Sequence, residues 1–183
     1  TVSPKVEVLN KQELFQFLKY VESNANILHK AIVQTILHTG MRESEVVDLE
    51  LDDIVNLDST KNTYIIIRNG KGDKYREVNI SGEYKTLLRE WIEHRPLTDS
   101  KKVFIGNRGT LTANGIYKMI HRLGEQKGLN VYPHMLRHQY LTQLAKKCEN
   151  LQDIKSLQEI AGHGSVETTM RYYIHGSDVS PYF

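Results

Sequence analysis

The sequence predicts one α+β domain, mainly helical, with a small three-stranded antiparallel sheet. Helical spacing of apolar residues runs through most of the 183 residues, and only the segment 54–80 favours short strands. Hydrophobic residues make up 39% and charged residues 25% of the chain, a mixture that excludes collagen-like and strongly disordered proteins. No run approaches the roughly 20 apolar residues that a membrane-spanning helix needs.

The first two helices are predicted from their ends as well as from their apolar faces. Asn10, followed three residues later by Glu13, is typical of a capping box and begins a helix that ends near residue 23. The apolar face of this helix comprises Leu14, Phe17, Leu18 and Val21. A second helix is predicted over 25–39, and Gly40 ends it.

A short helix over 43–49 leads into the predicted sheet. Its three strands are predicted over 54–57, 63–68 and 75–80, and the Gly-rich segment 69–73 joins the last two as a hairpin loop. Further helices are predicted over 83–94, 112–128, 133–147, 153–161 and 165–173. No internal repeat or linker-like segment interrupts this order, so we expect one compact domain over 1–183.

Charge is distributed unevenly along the chain, although the whole chain carries only +2. Residues 1–60 hold five basic and ten acidic side chains, whereas residues 101–147 hold nine basic and one acidic, a net charge of +8. A basic middle between acidic ends indicates one positive face, which a polyanionic partner would need. A solvated surface with clustered charges is the alternative. The single Cys148 excludes an internal disulfide framework and a cysteine-based zinc cluster. With no signal peptide either, we expect a cytoplasmic location.

Two segments in the first half concentrate reactive side chains. In TGMRESE, Arg42 stands at the start of a helix, and Glu45, three residues later on the same face, could hold its guanidinium in place. In GKGDKYR, Lys71 lies at the tip of the predicted hairpin. Taken alone, each cation is more typical of an ordinary protein surface than of a site.

Three more segments lie in the second half. PHMLRH places His134 and Arg137 at the N-terminus of a helix, where backbone N–H groups favour an anion. AGHGS places His163 in a turn between helices. TTMRYYIH ends the last predicted helix with Tyr172 beside Tyr173. Local capping by the histidine and packing of one tyrosine are the structural alternatives.

Together these segments supply two arginines, a lysine, two histidines and a tyrosine, without a pair of carboxylates. Phosphate chemistry without a metal needs such a set, because cations must hold the non-bridging oxygens while other groups supply the nucleophile and a proton. His134 and His138 do have the i,i+4 spacing of zinc ligands. The glutamate of an HExxH motif is absent, so we predict no metal site.

With these motifs in this order, the sequence resembles the tyrosine recombinase (phage integrase) family over residues 8–176. The matching motifs are TGMRESEVVDL, GKGDKYREV, HMLRH and AGH, and the family's nucleophile, nine residues after His163, falls on Tyr172. Ala161 replaces the usual leucine before Gly-His, and Asn79 stands where a proline often follows the third strand. The resemblance implies the catalytic-domain fold of this family, and the start at Thr1 leads us to expect a separate N-terminal core-binding domain upstream.

The resemblance also implies the reaction, which is site-specific DNA recombination for the integration or excision of a mobile element. Tyr172 would attack a backbone phosphate and form a 3′-phosphotyrosyl enzyme, while Arg42, Arg137 and His163 stabilise the pentacoordinate phosphorus. Lys71 would protonate the leaving 5′-oxygen. His134 would accept the tyrosine proton, because a phenol with a pKa of about 10 is a poor nucleophile unaided. The phosphotyrosine keeps the energy of the broken bond, so neither ATP nor metal is implied as a cofactor.

Double-stranded DNA and further recombinase protomers, four on the DNA, are the partners that the resemblance implies, with no membrane. The segment TANGIYK matches the family's major-groove helix, so Asn114 and Lys118 are candidates for base contacts. A helix cap and a surface lysine are the alternative. Lys74 and Arg76 in the hairpin are further candidates for DNA contact.

Three other functions use some of the same features. A type IB topoisomerase would relax DNA by the same chemistry, but the residues of the motifs are closer to those of an integrase. A non-catalytic DNA-binding module of the same fold would lack a catalytic residue, and none is missing from the sequence. A metal-dependent nuclease is disfavoured because no carboxylate cluster accompanies the histidines. The target DNA sequence, and the choice among phage integration, transposon movement and chromosome dimer resolution, are not predicted.

Overall fold

The computed structural model describes residues 7–68 and 75–161, and within them the predicted α+β class is confirmed. The α-helices are α1 Lys11–Asn24, α2 Ile27–Thr39, α3 Glu43–Asp48, α4 Gly82–His94, α5 Ala113–Gln126, α6 Pro133–Lys146 and α7 Leu151–Ala161. The strands are β1 Ile54–Val55, β2 Thr63–Arg68, β3 Tyr75–Ile80, β4 Ile105–Gly106 and β5 Gly109–Thr110. The helix predicted over 165–173 lies outside the described residues. No described helix is long and apolar enough to cross a membrane.

The main sheet is three-stranded and antiparallel, as predicted, and its strand order is β1-β2-β3. Thr63 of β2 pairs with Ile80 of β3, and at the other end of the ladder Arg68 pairs with Tyr75. The first strand is shorter than predicted because Asn56 adopts a positive φ of 61° and turns the chain after Val55. The carbonyl of Asn56 accepts a hydrogen bond from the Thr63 hydroxyl at 2.9 Å, which holds this turn against β2.

The hairpin of β4 and β5 was not predicted. Each strand has only two residues, Ile105–Gly106 and Gly109–Thr110, too few to show an alternating pattern in the sequence. The predicted helices agree with the described ones within two residues at each end. The second begins at Ile27 rather than residue 25, because the Asn26 side chain caps it by accepting the N–H of His29 at 2.8 Å.

Helix α2 lies at the centre of the fold and packs against both α4 and α6. It is the most apolar of the helices, and its fully or almost fully buried hydrophobic residues are Ala31, Ile32, Val33, Ile36 and Leu37. A helix buried on most of its circumference cannot shift without disturbing its neighbours. Its C-terminal end therefore provides a fixed point for the loop that carries Arg42.

Gly40 ends α2 in the left-handed conformation, with φ 68° and ψ 19°. Its N–H donates to the carbonyl of Ile36 at 2.9 Å and completes the last turn. A Cβ at this position would overlap the ring of Tyr140, which packs from α6 directly against the glycine. Glycine is therefore required here both by the backbone angle and by the approach of α6.

We expect Gly40→Ala to lower the free energy of unfolding by two separable amounts. The left-handed backbone costs a side chain about 1–2 kcal/mol, and the overlap with Tyr140 costs about 1–3 kcal/mol more. Gly128→Ala is the matched control, because Gly128 has a φ of 73° and open space where a Cβ would lie. Chemical denaturation measures both changes, and equal losses in the two variants would contradict the proposed overlap.

Candidate active site

Arg42 lies in the loop that follows α2, as the N-cap residue of α3, with extended backbone angles of φ −77° and ψ 159°. Its side chain is exposed, and within residues 7–68 and 75–161 its guanidinium makes no hydrogen bond or ion pair. The backbone of Arg42 is held by the helix that it begins, since its carbonyl accepts the N–H of Val46 at 3.0 Å. The structure thus fixes the main chain of Arg42 and leaves its charge on the surface.

Glu45 does not hold the guanidinium of Arg42, contrary to the prediction from their spacing. Its Oε1 accepts the backbone N–H of Arg42 at 2.8 Å, and its Oε2 lies 3.4 Å from Nη1 of Arg76. The reason is the position of Glu45 at the third residue of α3, where a glutamate turns back to cap the start of the helix. The carboxylate is consequently buried, whereas the Arg42 side chain points outwards.

Arg137 of α6 is half-buried and joins two distant segments. Its Nε donates to the carbonyl of Gly40 at 2.9 Å, and its Nη2 donates to the carbonyl of Ile160 in α7 at 2.9 Å. Gly40 precedes Arg42 by two residues, and Ile160 precedes the AGH motif. A planar guanidinium with several fixed donors suits such a bridge, because it can serve two acceptors in different directions. Arg137 therefore ties the Arg42 loop to the end of α7.

His134 is exposed at the start of α6, one turn before Arg137. Its ring is parallel to that of Tyr132, with an interplanar angle of 6° and centroids 5.6 Å apart. Its Nε2 lies 3.4 Å from a carboxylate oxygen of Glu7. Stacking fixes the plane of the imidazole while leaving its edge accessible, as a proton acceptor requires.

Tyr132 belongs to an aromatic stack that the sequence analysis missed. Its ring also stacks on His121 of α5, at 4.7 Å and 8°, and on Tyr117, at 5.4 Å and 29°. Tyr117 and His121 are four residues apart on one face of α5, so a helical spacing of aromatic residues was the available signal. The stack connects α5, with its candidate DNA contacts, to His134.

The candidate DNA contacts on α5 are on the surface. Asn114 and Lys118 are both exposed and are four residues apart, so they share a face of the helix. The N-cap is Thr112, whose hydroxyl accepts the N–H of Gly115 at 3.0 Å, so Asn114 is not needed as the cap. This removes the helix-cap alternative for Asn114.

Arg76 does not lie on the surface as a free cation. Its side chain is only 17% exposed and its guanidinium reaches Glu45 and the carbonyl of Thr39, the latter at 3.3 Å. Lys71, Lys74, His163 and Tyr172, predicted as site residues, lie outside the described residues. The described part therefore brings together Arg42, Glu45, Arg76 and Arg137, with His134 one turn along α6.

The two histidines with zinc spacing differ in environment. His138 is buried at 3% exposure, whereas His134 is exposed. Within the described ranges no group of three His, Cys, Asp or Glu side chains is placed to hold a metal ion.

Comparison with known proteins decides the family. A model of the phage integrase family matches residues 7–178. The chain belongs to the phage integrase family. It is 32% identical over 179 residues to tyrosine recombinase XerH of Helicobacter pylori, an alignment that covers 91% of this chain and 48% of the relative. It is 33% identical over 161 residues to tyrosine recombinase XerA of Pyrococcus horikoshii, covering 84% and 53%.

Solved structures of this family share the fold. The crystal structure of XerA recombinase matches with a TM-score of 0.75 and 31% identity, over 93% of this chain and 61% of that one. XerH bound to palindromic difH substrate in a post-cleavage complex matches with a TM-score of 0.73 and 30% identity, over 93% and 50%. The chain thus spans about half the length of the curated relatives that it matches. The predicted family and the predicted catalytic-domain fold are both confirmed.

The integrase domain also contains a cavity of about 1100 Å³ between α1, α2, α4, β3 and α6. Arg42, His134 and Arg137 do not line it. His38 of α2 lies in its wall, where its ring stacks on Tyr84 at 4.9 Å and 2° and hydrogen-bonds to Gln34 at 3.2 Å. Burial lowers the pKa of His38 to about 4. The imidazole is therefore neutral in the folded domain at physiological pH.

The depressed pKa of His38 predicts a loss of stability in acid. In the unfolded chain its pKa is about 6.5, so its contribution is fully present above pH 6.5 and is lost as the pH falls through about 4. We expect His38→Gln to flatten the decrease in unfolding free energy between pH 6.5 and 4. His94→Gln, at an exposed position on α4, is the control. A slope in the His38 variant as steep as in the wild type would contradict this assignment.

Proposed function

We propose that this chain is the catalytic domain of a site-specific tyrosine recombinase that cleaves and rejoins DNA through a 3′-phosphotyrosyl intermediate. The observation that carries the proposal is the bridge made by Arg137, whose guanidinium binds the carbonyls of Gly40 and Ile160 at 2.9 Å each. This bridge draws the Arg42 loop and the segment leading to His163 to one place. Membership of the phage integrase family supplies the class of reaction.

The two arginines have complementary roles in the proposed reaction. Arg42 offers an exposed guanidinium to a non-bridging oxygen of the scissile phosphate, and Arg137 adds a second charge from a half-buried, fixed position. Donors held in place before the reaction stabilise the pentacoordinate phosphorus without reorganising. Each such donor contributes about 2.7–4 kcal/mol in enzymes where one has been removed. His163 is proposed as the third donor.

The proton transfers complete the proposed mechanism. The Tyr172 oxygen forms a bond to phosphorus and loses its proton to His134, while the bond to the 5′-oxygen breaks and that oxygen takes a proton from Lys71. Attack by the 5′-hydroxyl of another strand reverses these steps and releases Tyr172. No ATP is consumed, because the phosphotyrosine bond replaces the phosphodiester bond.

Helix α5 is proposed to recognise the DNA. Asn114 and Lys118 are exposed on one face, within a segment of net charge +8 over residues 101–147. An asparagine suits adenine in the major groove, and lysine suits guanine or phosphate. Lys74 is a further proposed phosphate contact. The relative XerH was crystallised on a palindromic site, which supports binding of paired protomers here.

We further propose that two such pairs form a tetramer when two DNA sites recombine. The same cleavage and rejoining would integrate or excise a mobile element. We also propose a cytoplasmic location, in line with DNA as the proposed substrate.

Tyr172→Phe tests the nucleophile. The variant should lose the covalent protein–DNA adduct by a factor of about 10³ or more, while DNA binding stays nearly unchanged because only a hydroxyl is removed. Tyr173→Phe is the matched control and should retain substantial cleavage, since neighbouring residues on a helix point about 100° apart. The measurement is adduct formation by the full native chain on a nicked suicide substrate, followed by mapping of the DNA-linked peptide. A linkage at Tyr173 would contradict the assignment, and absence of any wild-type adduct would overturn the proposed function.

Lys71→Ala tests the proposed general acid. Cleavage of ordinary DNA should fall by about 10²–10⁴-fold. A substrate with sulfur at the 5′-bridging position should be cleaved at close to the wild-type rate, because a thiolate leaves without protonation. Rates are compared in single turnover at saturating protein. If the two substrates lose the same factor, Lys71 does not supply the proton.

A further inference from the structure

Arg76 of β3 reaches the loop that carries Arg42. Strand β3 alternates, and Arg76 shares its inward face with the buried residues Val78 and Ile80. The guanidinium extends from this face to two acceptors, Oε2 of Glu45 at 3.4 Å and the carbonyl of Thr39 at 3.3 Å. A residue predicted to contact DNA is thus directed into the domain.

Two arginines hold consecutive carbonyls at the end of α2. Arg76 binds the carbonyl of Thr39 from β3, and Arg137 binds the carbonyl of Gly40 from α6 at 2.9 Å. The charge of Arg76 is also felt at Tyr140, where it opposes the rise in pKa that burial causes. Arg42 follows Thr39 by three residues and Gly40 by two, so its main chain is held from two sides.

Glu45 links Arg76 to the backbone of Arg42. One carboxylate oxygen faces Arg76 and the other accepts the backbone N–H of Arg42 at 2.8 Å. The Glu45 side chain is 8% exposed, and a buried carboxylate without a cationic partner is strongly unfavourable. Arg76 therefore holds the Glu45 carboxylate in place to bind the backbone of Arg42.

We propose that Arg76 is a positioning residue for DNA cleavage, which acts through Glu45 and Thr39 on the backbone of Arg42 and does not touch the DNA. This inference rests on the proposed function. Arg76 is the second residue of β3, so the same contacts also anchor the start of this strand to the Arg42 loop.

Arg89 provides a matched control for loss of such an arginine. Its Nη2 donates to the carbonyl of Leu57 at 2.6 Å and its Nε lies 3.3 Å from Asp58, so it too bridges a carbonyl and a carboxylate. It lies on α4 and does not contact the Arg42 loop. Arg89→Met removes the same kinds of contact without affecting the proposed path to Arg42.

The test compares single-turnover cleavage by the full native chain at saturating protein, together with DNA affinity and melting temperature. We expect Arg76→Met to lower the cleavage rate by about 100-fold, the effect of displacing a catalytic group by about 1 Å. Arg76→Lys, which keeps the charge beside Glu45 but has no fork for two acceptors, should recover part of the rate. Both variants should bind DNA with nearly wild-type affinity, and Arg89→Met should cleave at nearly the wild-type rate.

The path through Arg42 is tested in an Arg42→Lys background. If Arg76 acts through Arg42, adding Arg76→Met there should cost far less than in the wild-type background. An equal loss in both backgrounds, or a loss explained by weaker DNA binding, would overturn the inference. Should Arg76→Met not fold, the same comparison with Arg76→Lys decides. If the wild type forms the adduct and the Arg76 variants cleave DNA at the wild-type rate, only this inference is refuted. If the wild type forms no adduct, the proposed function is refuted.

Discussion

The site depends on the two carbonyls that end α2. The last carbonyls of a helix have no partner within it and lie at the negative end of its dipole, so they attract cations. Here Thr39 and Gly40 accept from Arg76 and Arg137, which arrive from a strand and from another helix. The left-handed conformation of Gly40 turns the chain there and makes room for Tyr140. Because α2 is buried in the core, the end of this helix is fixed, and the Arg42 loop that follows it is fixed at that point.

The three arginines carry the same charge but differ in function, because their surroundings differ. Arg76 and Arg137 donate hydrogen bonds to main-chain carbonyls, whereas the guanidinium of Arg42 has no partner within the described residues. The Arg76 side chain is only 17% exposed and is costly to move, so this arginine stabilises the geometry of the loop. An exposed guanidinium can instead meet a phosphate. Electrostatic stabilisation of a transition state needs both, since the acting charge must be available and its support must not reorganise.

Local patterns in the sequence predicted the elements well, and motif order predicted Arg42 and Arg137, which the structure brings close. The direction of Arg76 and the partner of Glu45 were not predicted, because this contact joins side chains of β3 and α3 that are 31 positions apart in the sequence. One signal was present, since Arg76, Val78 and Ile80 alternate as one face of a strand. The bridge from Arg137 to Gly40 spans 97 positions and left no local signal at all. Long-range pairs of this kind follow from topology rather than from periodicity.

The proposed catalytic histidine lies on α6 and the proposed DNA-recognition residues lie on α5, and the aromatic stack connects the two helices. Asn114 and Lys118 project from α5, while His134 stands at the start of α6 beside Tyr132. Tyr132 stacks on His121 of α5 and on His134. A movement of α5 on DNA would therefore displace the Tyr132 ring and change the orientation of the His134 ring. The hydrogen bonds of Arg76 and Arg137 described above run to the end of α2, to α3 and to α7, and α3 in turn packs against α5. The arginines proposed to bind phosphate are therefore held by hydrogen bonds within the domain, whereas His134, the proposed proton acceptor, is connected to α5 by ring stacking through Tyr132.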